Sequence, residues 1–347
     1  MIVFRAAGEP DDLDLRAMLR ANAMPSWVTM STEREPSFLG SLNRFGNERV
    51  VIARDGEAAV GMYLCAEHPV HINGRPERFG YLGGLRVNPA YRHRRRVLRE
   101  GYASIRSLSG VTKPDTWYTS VATENTSARR LLEAGLRDLP AYVAQGELVT
   151  LAISRARGKR LGLWRRPDTG EIEPLCDMYN ASAARFQLSP ELTPLRIKNT
   201  RADFFIHDVA GEPRACMALW DQQAYKQIVA RAYREPLSTL LPLYNLWARL
   251  ARRVVLPNLN QALDQAFLAF FAPGTDDIGE TIALIRDALA LSSCAVVTLG
   301  LHAAHPALPE LLRACRPVVY RTIVYAVCFA QPPHWDGRPV QPEIAIL

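Results

Sequence analysis

The sequence predicts a mixed α/β protein, in which an α+β mixed sheet is organised as two domains. Apolar and β-branched runs alternate with amphipathic helical patterns along the chain. The 347 residues exceed one ordinary compact domain and suit two units of about 150 to 180 residues. Residues 154–169, SRARGKRLGLWRRPDT, interrupt the periodicity with charge, Gly and Pro. We therefore expect domains at residues 1–153 and 170–347, joined by a solvated linker at 154–169.

The first half has the pattern of a sheet with helices packed on it. Two turn signals, Asp55–Gly56 and Asn73–Gly74, predict hairpins. We expect antiparallel strands first and a parallel pair of strands after them. The predicted elements are strand Val3–Ala6, helices Asp11–Asn22 and Pro36–Asn43, strands Arg49–Arg54, Ala59–Glu67 and Gly80–Val87, a basic helix, strand Thr116–Ala122, a short helix and strand Gly146–Ile153.

The segment Tyr81–Leu108 carries the strongest functional signal. An apolar strand runs into a Pro-containing turn, a cluster of arginines and then a helix. The free N–H groups of a helix N-terminus and the helix dipole favour a bound anion, and arginine side chains bind phosphate oxygens. The segment predicts a phosphate-binding site, and a solvated basic helix start is the simpler alternative.

Residues 86–105, RVNPAYRHRRRVLREGYASI, resemble the pyrophosphate-binding segment of the GCN5-related N-acetyltransferases. In that family a V-x-P-x-Y-R turn precedes a pattern of Arg or Gln, two residues, Gly, one residue, and Gly or Ala. Arg92 fills the first position, whereas Arg95 and Val97 stand where the small residues belong. The resemblance implies acetyl-CoA as co-substrate, with its pantetheine arm along one strand and its pyrophosphate at the helix start. The cofactor-binding residues implied are Leu85, Arg86, Val87, Arg92, His93, Arg94, Arg95, Arg96, Val97, Asn125 and Ala128.

A second segment resembles the same family. Thr116–Ala122 predicts a strand, and the following residues predict a short helix that ends at Gly135. Asn125 and Ala128 fill the family's positions here. Asn125 either caps this helix or, as the resemblance implies, bonds the pantetheine arm. Leu132 stands where many members carry the tyrosine that protonates the departing thiolate, so the usual general acid is absent.

The resemblance also implies that an amine attacks the thioester directly, which requires a proton acceptor near the strand ends. Glu67 and His68 lie at the end of one predicted strand, and Glu124 follows another. Tyr142 is a substitute for the missing acid. These four residues are the catalytic candidates, and for each an ordinary surface or half-buried position is the alternative interpretation.

The second half repeats the order of the first, which predicts an internal duplication and two tandem acyl-CoA N-acyltransferase (GNAT-like) domains. A hairpin around Gly211 parallels the one around Gly56. Asp276, Asp277 and Glu280 at a helix start would repel a pyrophosphate, so we expect only the first domain to bind one. The other predicted elements are helix Glu171–Arg185, strand Lys226–Ala232, helix Pro236–Arg252, strand Gln265–Ala272, helix Ile278–Leu291, strand Cys294–Leu301, helix Pro306–Arg313 and strand Val318–Phe329.

Composition sets the outer limits. Hydrophobic residues make up 48% and charged residues 22%, as in soluble globular proteins. The net charge of +7 suits an acidic ligand, but no nucleic-acid-binding motif accompanies it. The six scattered cysteines indicate reduced core residues, and the seven histidines lack metal-ligand spacing. We expect a cytoplasmic protein with no metal and no membrane contact. A small-molecule or peptide amine is the expected acceptor, nucleic acid is not an expected partner, and homo-oligomerisation stays open.

Three functions remain open. The favoured one is an acyl-CoA-dependent N-acyltransferase, with acetyl as the acyl group. The second is a catalytically inactive tandem module that binds acyl-CoA as a sensor or scaffold, which the lost glycines and the absent tyrosine favour. The third is a transferase of the aminoacyl-tRNA-dependent type, which also uses paired domains of this fold and would suit the basic charge.

Overall fold

The computed structural model describes residues 1–23, 27–92, 95–108 and 116–347, with the backbone alone for Arg95 and Thr116. Its first half follows the predicted order. The elements are β1 (Ile2–Ala6), α1 (Asp12–Ala21), β2 (Val28–Glu33), β3 (Asn47–Asp55), β4 (Ala58–Ile72), β5 (Arg75–Val87), α2 (Arg95–Leu108), β6 (Thr116–Ala122), α3 (Thr126–Glu133) and β7 (Ala141–Ser154).

The second half repeats the hairpin and the strand–helix–strand–helix–strand series of the first. Its hairpin turns at Ala210 and Gly211, both at positive φ, as Gly56 does in the first half. The elements are α4 (Ile172–Ala183), α5 (Pro194–Thr200), β8 (Asp203–Val209), β9 (Glu212–Trp220), β10 (Gln227–Tyr233), α6 (Leu237–Leu250), β11 (Gln265–Ala272), α7 (Ile278–Leu291), β12 (Val296–His302), α8 (Leu308–Cys315) and β13 (Val318–Cys328).

One continuous sheet of 11 strands runs through both halves, in the order β1-β3-β4-β5-β6-β13-β7-β12-β11-β9-β8. The two halves exchange their last strands. Strand β13 lies between β6 and β7 and is antiparallel to both, and β7 pairs on its other edge with β12. Each half therefore completes its sheet with a strand of the other half.

The segment predicted as a linker packs against the second half. The buried carboxylate of Asp287 on α7 accepts hydrogen bonds from the backbone N–H groups of Leu161 and Leu163, at 2.7 and 2.6 Å. The indole of Trp164 is buried and donates to the carbonyl of Leu284. The domain limits at 153 and 170 stay a prediction.

The predicted helix Pro36–Asn43 is wrong, because only Leu39–Ser41 forms a single 3-10 turn there. The hydroxyl of Ser37 accepts from the N–H of Gly40, and the carboxylate of Asp12 accepts from the N–H of Leu39. These side chains satisfy the backbone locally and compete with a helix. Strand β2, which the sequence did not reveal, pairs with β10 in a separate two-stranded sheet that links the halves.

Other expectations from composition can be compared with the structure. All six cysteines are free and buried, which confirms them as unpaired core residues. Among the described helices, none has both the length and the apolar character that a membrane-spanning segment needs. No group of three or more potential metal ligands occurs in the described parts of the chain.

Strands β5 and β6 are parallel but pair over only two residues, Gly80 with Trp117 and Tyr81 with Tyr118. Beyond Tyr81 the strands separate, so the sheet is split between Leu82–Val87 and Thr119–Ala122. The sequence predicted this parallel pair.

We predict that Gly80→Ala destabilises the protein by about 2 kcal/mol, because overpacking of a core costs this much. A Cβ at this position would lie 2.2 Å from Cε3 of Trp117, and that indole is buried. Urea unfolding measures the effect. Gly170→Ala is the matched control, because a Cβ there meets no atom within 4 Å. Equal stability of the two variants would contradict the packing described here.

Candidate functional site

A cavity of about 480 Å³ occupies the split between β5 and β6. It extends from the gap between these two strands into the second half of the chain. Its wall includes Gly83–Val87 of β5, Thr119–Ala122 of β6, Val97, Leu98, Gly101, Tyr102 and Ile105 of α2, Asn125, Ala128 and Leu132 near α3, and Lys226, Ile228, Phe267, Thr298 and Tyr320 of the second half.

A β-bulge in β5 forms the centre of this wall. Leu64 pairs with Gly83 and Met62 pairs with Arg86, so Tyr63 alone lies opposite both Gly84 and Leu85. Gly84 has φ of +61°, a conformation that glycine adopts without strain. A bulge interrupts the hydrogen-bond ladder, so this backbone can offer polar groups to a ligand in the cavity.

The basic segment begins directly after β5. Arg92 donates to the carbonyl of Val87 and, at 2.7 Å, to the side-chain oxygen of Asn22. Arg96 forms an ion pair with Glu100 one turn further on. Val97 packs its buried side chain against Val60 and Ala53. His93, Arg94 and the side chain of Arg95 lie outside the described residues, so the proposed phosphate contacts of this segment stay a prediction.

Asn125 caps helix α3 through its side-chain oxygen, which accepts from the N–H of Ala128 at 3.2 Å. Both residues also line the cavity, beside Leu132. The two interpretations that the sequence left open for Asn125 are therefore compatible, because a capping residue can also face a ligand.

The four catalytic candidates are in different environments. His68 is buried, its Nε2 is 2.9 Å from the hydroxyl of Tyr118, and burial lowers its pKa to about 3. Glu67 pairs in the sheet with Gly80, and Glu124 is exposed; none of these three lines the cavity. Tyr142 does line it, with its hydroxyl 2.5 Å from that of Tyr102. Burial raises the pKa of the Tyr142 hydroxyl well above its usual range.

Four charged residues lie on the described cavity wall: Arg34, Glu48, Arg86 and Lys226. The resemblance implied a cofactor-binding role for Arg86, whereas the other three were missed by the sequence analysis. Glu48 and Arg34 are about 15% exposed as side chains and lie 3.7 Å apart. The N–H of Asn43 also donates to Glu48 at 2.7 Å. Glu48 is the one acidic side chain among the described wall residues. Arg34 follows β2, which the sequence did not predict, and Lys226 lies far away in the chain, so no local pattern linked them.

The other two cations of the wall are partly buried. Burial lowers the pKa of Lys226 to about 8, and its ammonium donates to the main-chain oxygen of Leu347 at 2.7 Å. Burial also lowers the pKa of Arg86, whose Nε has no hydrogen-bond partner among the described residues. A buried donor without a partner indicates that a polar group of a ligand can be accommodated beside Arg86.

The second half has an equivalent bulge, but its split is filled. Met217 lies opposite both Phe270 and Phe271, and Phe270 has φ of +50°, like Gly84 in the first half. The carboxylate of Glu343 accepts from the N–H of Phe270 at 2.8 Å and from that of Ala345 at 3.1 Å. The C-terminal segment thus covers this bulge.

The fold and the split sheet together define this chain as having the fold of the GCN5-related N-acetyltransferases, as two tandem units. It is similar to Saccharomyces cerevisiae N-myristoyltransferase with bound myristoyl-CoA, with a TM-score of 0.61 and 11% identity over 98% of this chain and 88% of that chain. A GCN5-related N-acetyltransferase from Anabaena variabilis has a TM-score of 0.53 and 8% identity, over 95% of this chain and 73% of the other. No protein-family model and no curated protein sequence matches the chain. At this sequence identity the similarity to these structures shows the fold alone. The expected architecture of two tandem domains is confirmed.

We predict that the carboxyl of Glu343 makes stability depend on pH. Burial raises its pKa from about 4.5 to about 7, so the folded state favours the protonated form. The stabilisation is complete below pH 4.5 and is lost as the pH rises through 7. Relative to Glu343→Gln, the wild type should lose on the order of 2 kcal/mol of unfolding free energy over this range. Urea unfolding of both proteins at several pH values measures the difference, and a constant difference would contradict the assignment.

Proposed function

We propose that the protein is an acyl-CoA-dependent N-acyltransferase, and that the first half carries the reaction. The observation that carries the proposal is the split between β5 and β6, with a bulge on its wall and an open cavity beside it. Among proteins of this fold, the yeast N-myristoyltransferase was solved with myristoyl-CoA bound. An acyl-CoA in this chain would lie across the split.

The bulge at Gly84 and Leu85 would serve the thioester. A carbonyl oxygen gains negative charge when an amine attacks its carbon, and backbone N–H groups held in place stabilise that charge. Collapse of the adduct breaks the carbon–sulfur bond and leaves the acyl group on nitrogen and the thiolate on coenzyme A. Gly83 and Gly84 keep side chains away from this wall, so the thioester can approach the backbone.

The pyrophosphate of the cofactor would bind where β5 gives way to α2. The start of α2 has the amide groups and the dipole that favour an anion. Arg92 fills the arginine position of the family pattern, and Arg95 adds positive charge where that pattern has a small residue. The cofactor-binding assignments for residues 85–87 and 92–97, Asn125 and Ala128 belong to this proposal.

Glu48 is the proposed general base. Carboxylates accept protons from attacking amines directly or through one water molecule. Glu48 has this chemistry and faces the cavity, whereas Glu67, His68 and Glu124 do not line it. Its contacts with Asn43 and Arg34 hold the carboxylate in position.

The proposed acyl group is short, with acetyl-CoA as the co-substrate. Cavities of about 300 to 1,000 Å³ hold one ligand of drug size. The cavity of about 480 Å³ must accommodate the pantetheine arm, the acyl group and the reacting end of a small-molecule or peptide amine. A short acyl group leaves room for all three.

An inactive acyl-CoA sensor is the second candidate, because Leu132 replaces the usual acid and the second split is closed by Glu343. The two functions differ in turnover. Release of free thiol from acyl-CoA of increasing chain length, over a panel of amines, distinguishes them. Binding without turnover of any pair would support the sensor.

We predict that Arg92→Ala/Arg95→Ala weakens acetyl-CoA binding by roughly 100-fold, because each charged hydrogen bond to phosphate contributes about 1.5 kcal/mol or more. Calorimetric titration of the full chain measures this. Arg99→Ala/Arg106→Ala, on the same helix but further from its start, removes equal charge and should leave the affinity within about two-fold of wild type. Equal losses in both variants would contradict a phosphate site at the helix start.

We predict that Glu48→Gln lowers kcat by about 100-fold or more, because a positioned base contributes 10²–10⁴ in rate. The Kd for acetyl-CoA should not change, since the proposed role of the carboxylate is to take a proton from the amine. Glu124→Gln, an exposed carboxylate outside the cavity, is the control. Thiol release gives kcat, and a thermal melt verifies folding. Full turnover of Glu48→Gln would exclude this residue as the base.

A further inference from the structure

Helix α6 has a second apolar face that no part of the described chain covers. Its inner face packs through residues such as Tyr244 and the buried Ala248. Five large apolar side chains point the other way and are 45% to 79% exposed: Leu240, Leu243, Leu246, Trp247 and Leu250. Most of them follow the three- and four-residue spacing that places side chains on one side of a helix. We call these five residues the outer face of α6.

The outer face is unusual for a soluble surface. Single exposed leucines are ordinary, but a contiguous apolar patch on one helix marks a surface that another phase or molecule contacts. Trp27, also exposed, lies beside the start of α6, because its carbonyl accepts from the N–H of Arg234 at 3.1 Å. None of the outer-face residues lines the cavity, so the proposed acyl transfer does not account for them.

Arginines collect at the C-terminal end of α6: Arg157, Arg249, Arg252, Arg253 and Arg316. Arg157 donates to the carbonyls of Ala251 and Arg252, and Arg253 donates to that of Arg316, which fixes these guanidinium groups together. Within the described residues, none of the five forms an ion pair with a carboxylate. Burial and the neighbouring Arg316 and Arg253 lower the pKa of Arg157, as expected for positive charges that lack a nearby acid.

The charge beside the outer face of α6 indicates what kind of partner contacts it. The guanidinium of Arg253 lies 5.9 Å from the ring centre of Trp247, so the basic group adjoins the outer face directly. Leucine and tryptophan beside unpaired arginines are the pattern of helices that lie in the surface of an anionic membrane. A second copy of the chain would bring the same arginines against each other across a two-fold axis, which repulsion disfavours.

We propose that α6 is a membrane-surface helix, whose outer face enters the interface of a bilayer that contains acidic lipids while the adjoining arginines contact the headgroups. The helix has 14 residues and lies on the protein, so it docks on the surface and does not cross the bilayer. The expectation of a protein without membrane contact, taken from composition, would then apply to spanning segments only.

Flotation of the full chain with phosphatidylcholine vesicles, with and without phosphatidylglycerol, tests the proposal. Wild-type protein should bind the acidic vesicles, and added salt should weaken the binding because exposed charges are screened. Leu243→Gln/Leu250→Gln should reduce the partition coefficient by roughly 30-fold, because two leucines no longer leave water. Leu13→Gln/Leu195→Gln, on two other helices and equally exposed, is the matched control and should bind like wild type.

A second pair of variants separates the charge contribution. Arg252→Gln/Arg316→Gln should lower binding to acidic vesicles by roughly 30-fold, since each basic residue near such a surface contributes about 1 kcal/mol. Arg78→Gln/Arg137→Gln removes the same charge elsewhere and should have little effect. Thiol release in the absence of vesicles should be unchanged in every variant, which separates this proposal from the proposed reaction.

Two results would overturn the proposal. One is wild-type binding to acidic vesicles that does not exceed binding to neutral vesicles. The other combines two observations. Light scattering would show a wild-type dimer that Leu243→Gln/Leu250→Gln converts to a monomer, and no variant would change vesicle binding. The second result would assign the outer face to self-association.

Discussion

The short pairing of β5 with β6 is the constraint on which the rest of the site depends. Two parallel strands that pair over only two residues leave backbone groups on both sides of a gap. The gap persists because the bulge at Gly84 diverts β5, while the other edge of β6 is fully paired with β13. Strand β13 comes from the second half, so the exchange of strands fixes β6 in place and keeps the split open. The cavity is a consequence of this topology.

The two halves share one backbone geometry, but the bulge is accessible in the first half and covered in the second. Both have a bulge after the parallel pairing, with Gly84 or Phe270 at positive φ. Glycine leaves the first bulge accessible, whereas in the second half Glu343 bonds the N–H of Phe270 and the C-terminal segment lies over it. A Cβ on Gly300 would lie 2.4 Å from Cγ2 of Ile344, which shows how closely this segment packs on β12. The segment that closes the second split also contributes Ile344 and Ile346 to the wall of the open cavity.

The sequence predicted the local structure well, because local signals determine it. Strand Gln265–Ala272 and helix Ile278–Leu291 have the predicted limits, and turn residues such as Gly56 and Gly211 marked the hairpins. The exchange of β7 and β13 could not be predicted, since both strands are apolar and their patterns do not specify a neighbour. Strand β2 was missed because its partner β10 lies in the other half of the chain. Arg34 and Lys226 of the cavity wall adjoin these two strands, so their proximity was missed with the pairing.

The absent tyrosine does not prevent the proposed reaction. Leu132, which aligns with the tyrosine of the resembled family, lines the cavity, and two phenols of the same wall, Tyr102 and Tyr142, bond each other. Burial raises the pKa of both phenols, so neither releases its proton readily. A thiol with a pKa near the ordinary value of about 8.5 is a good leaving group as the thiolate, and water can protonate it after release. The demanding step is instead removal of a proton from the attacking amine, because an ammonium ion has no lone pair to attack with. Glu48 is the proposed base for this step, because it is the acidic side chain on the described cavity wall.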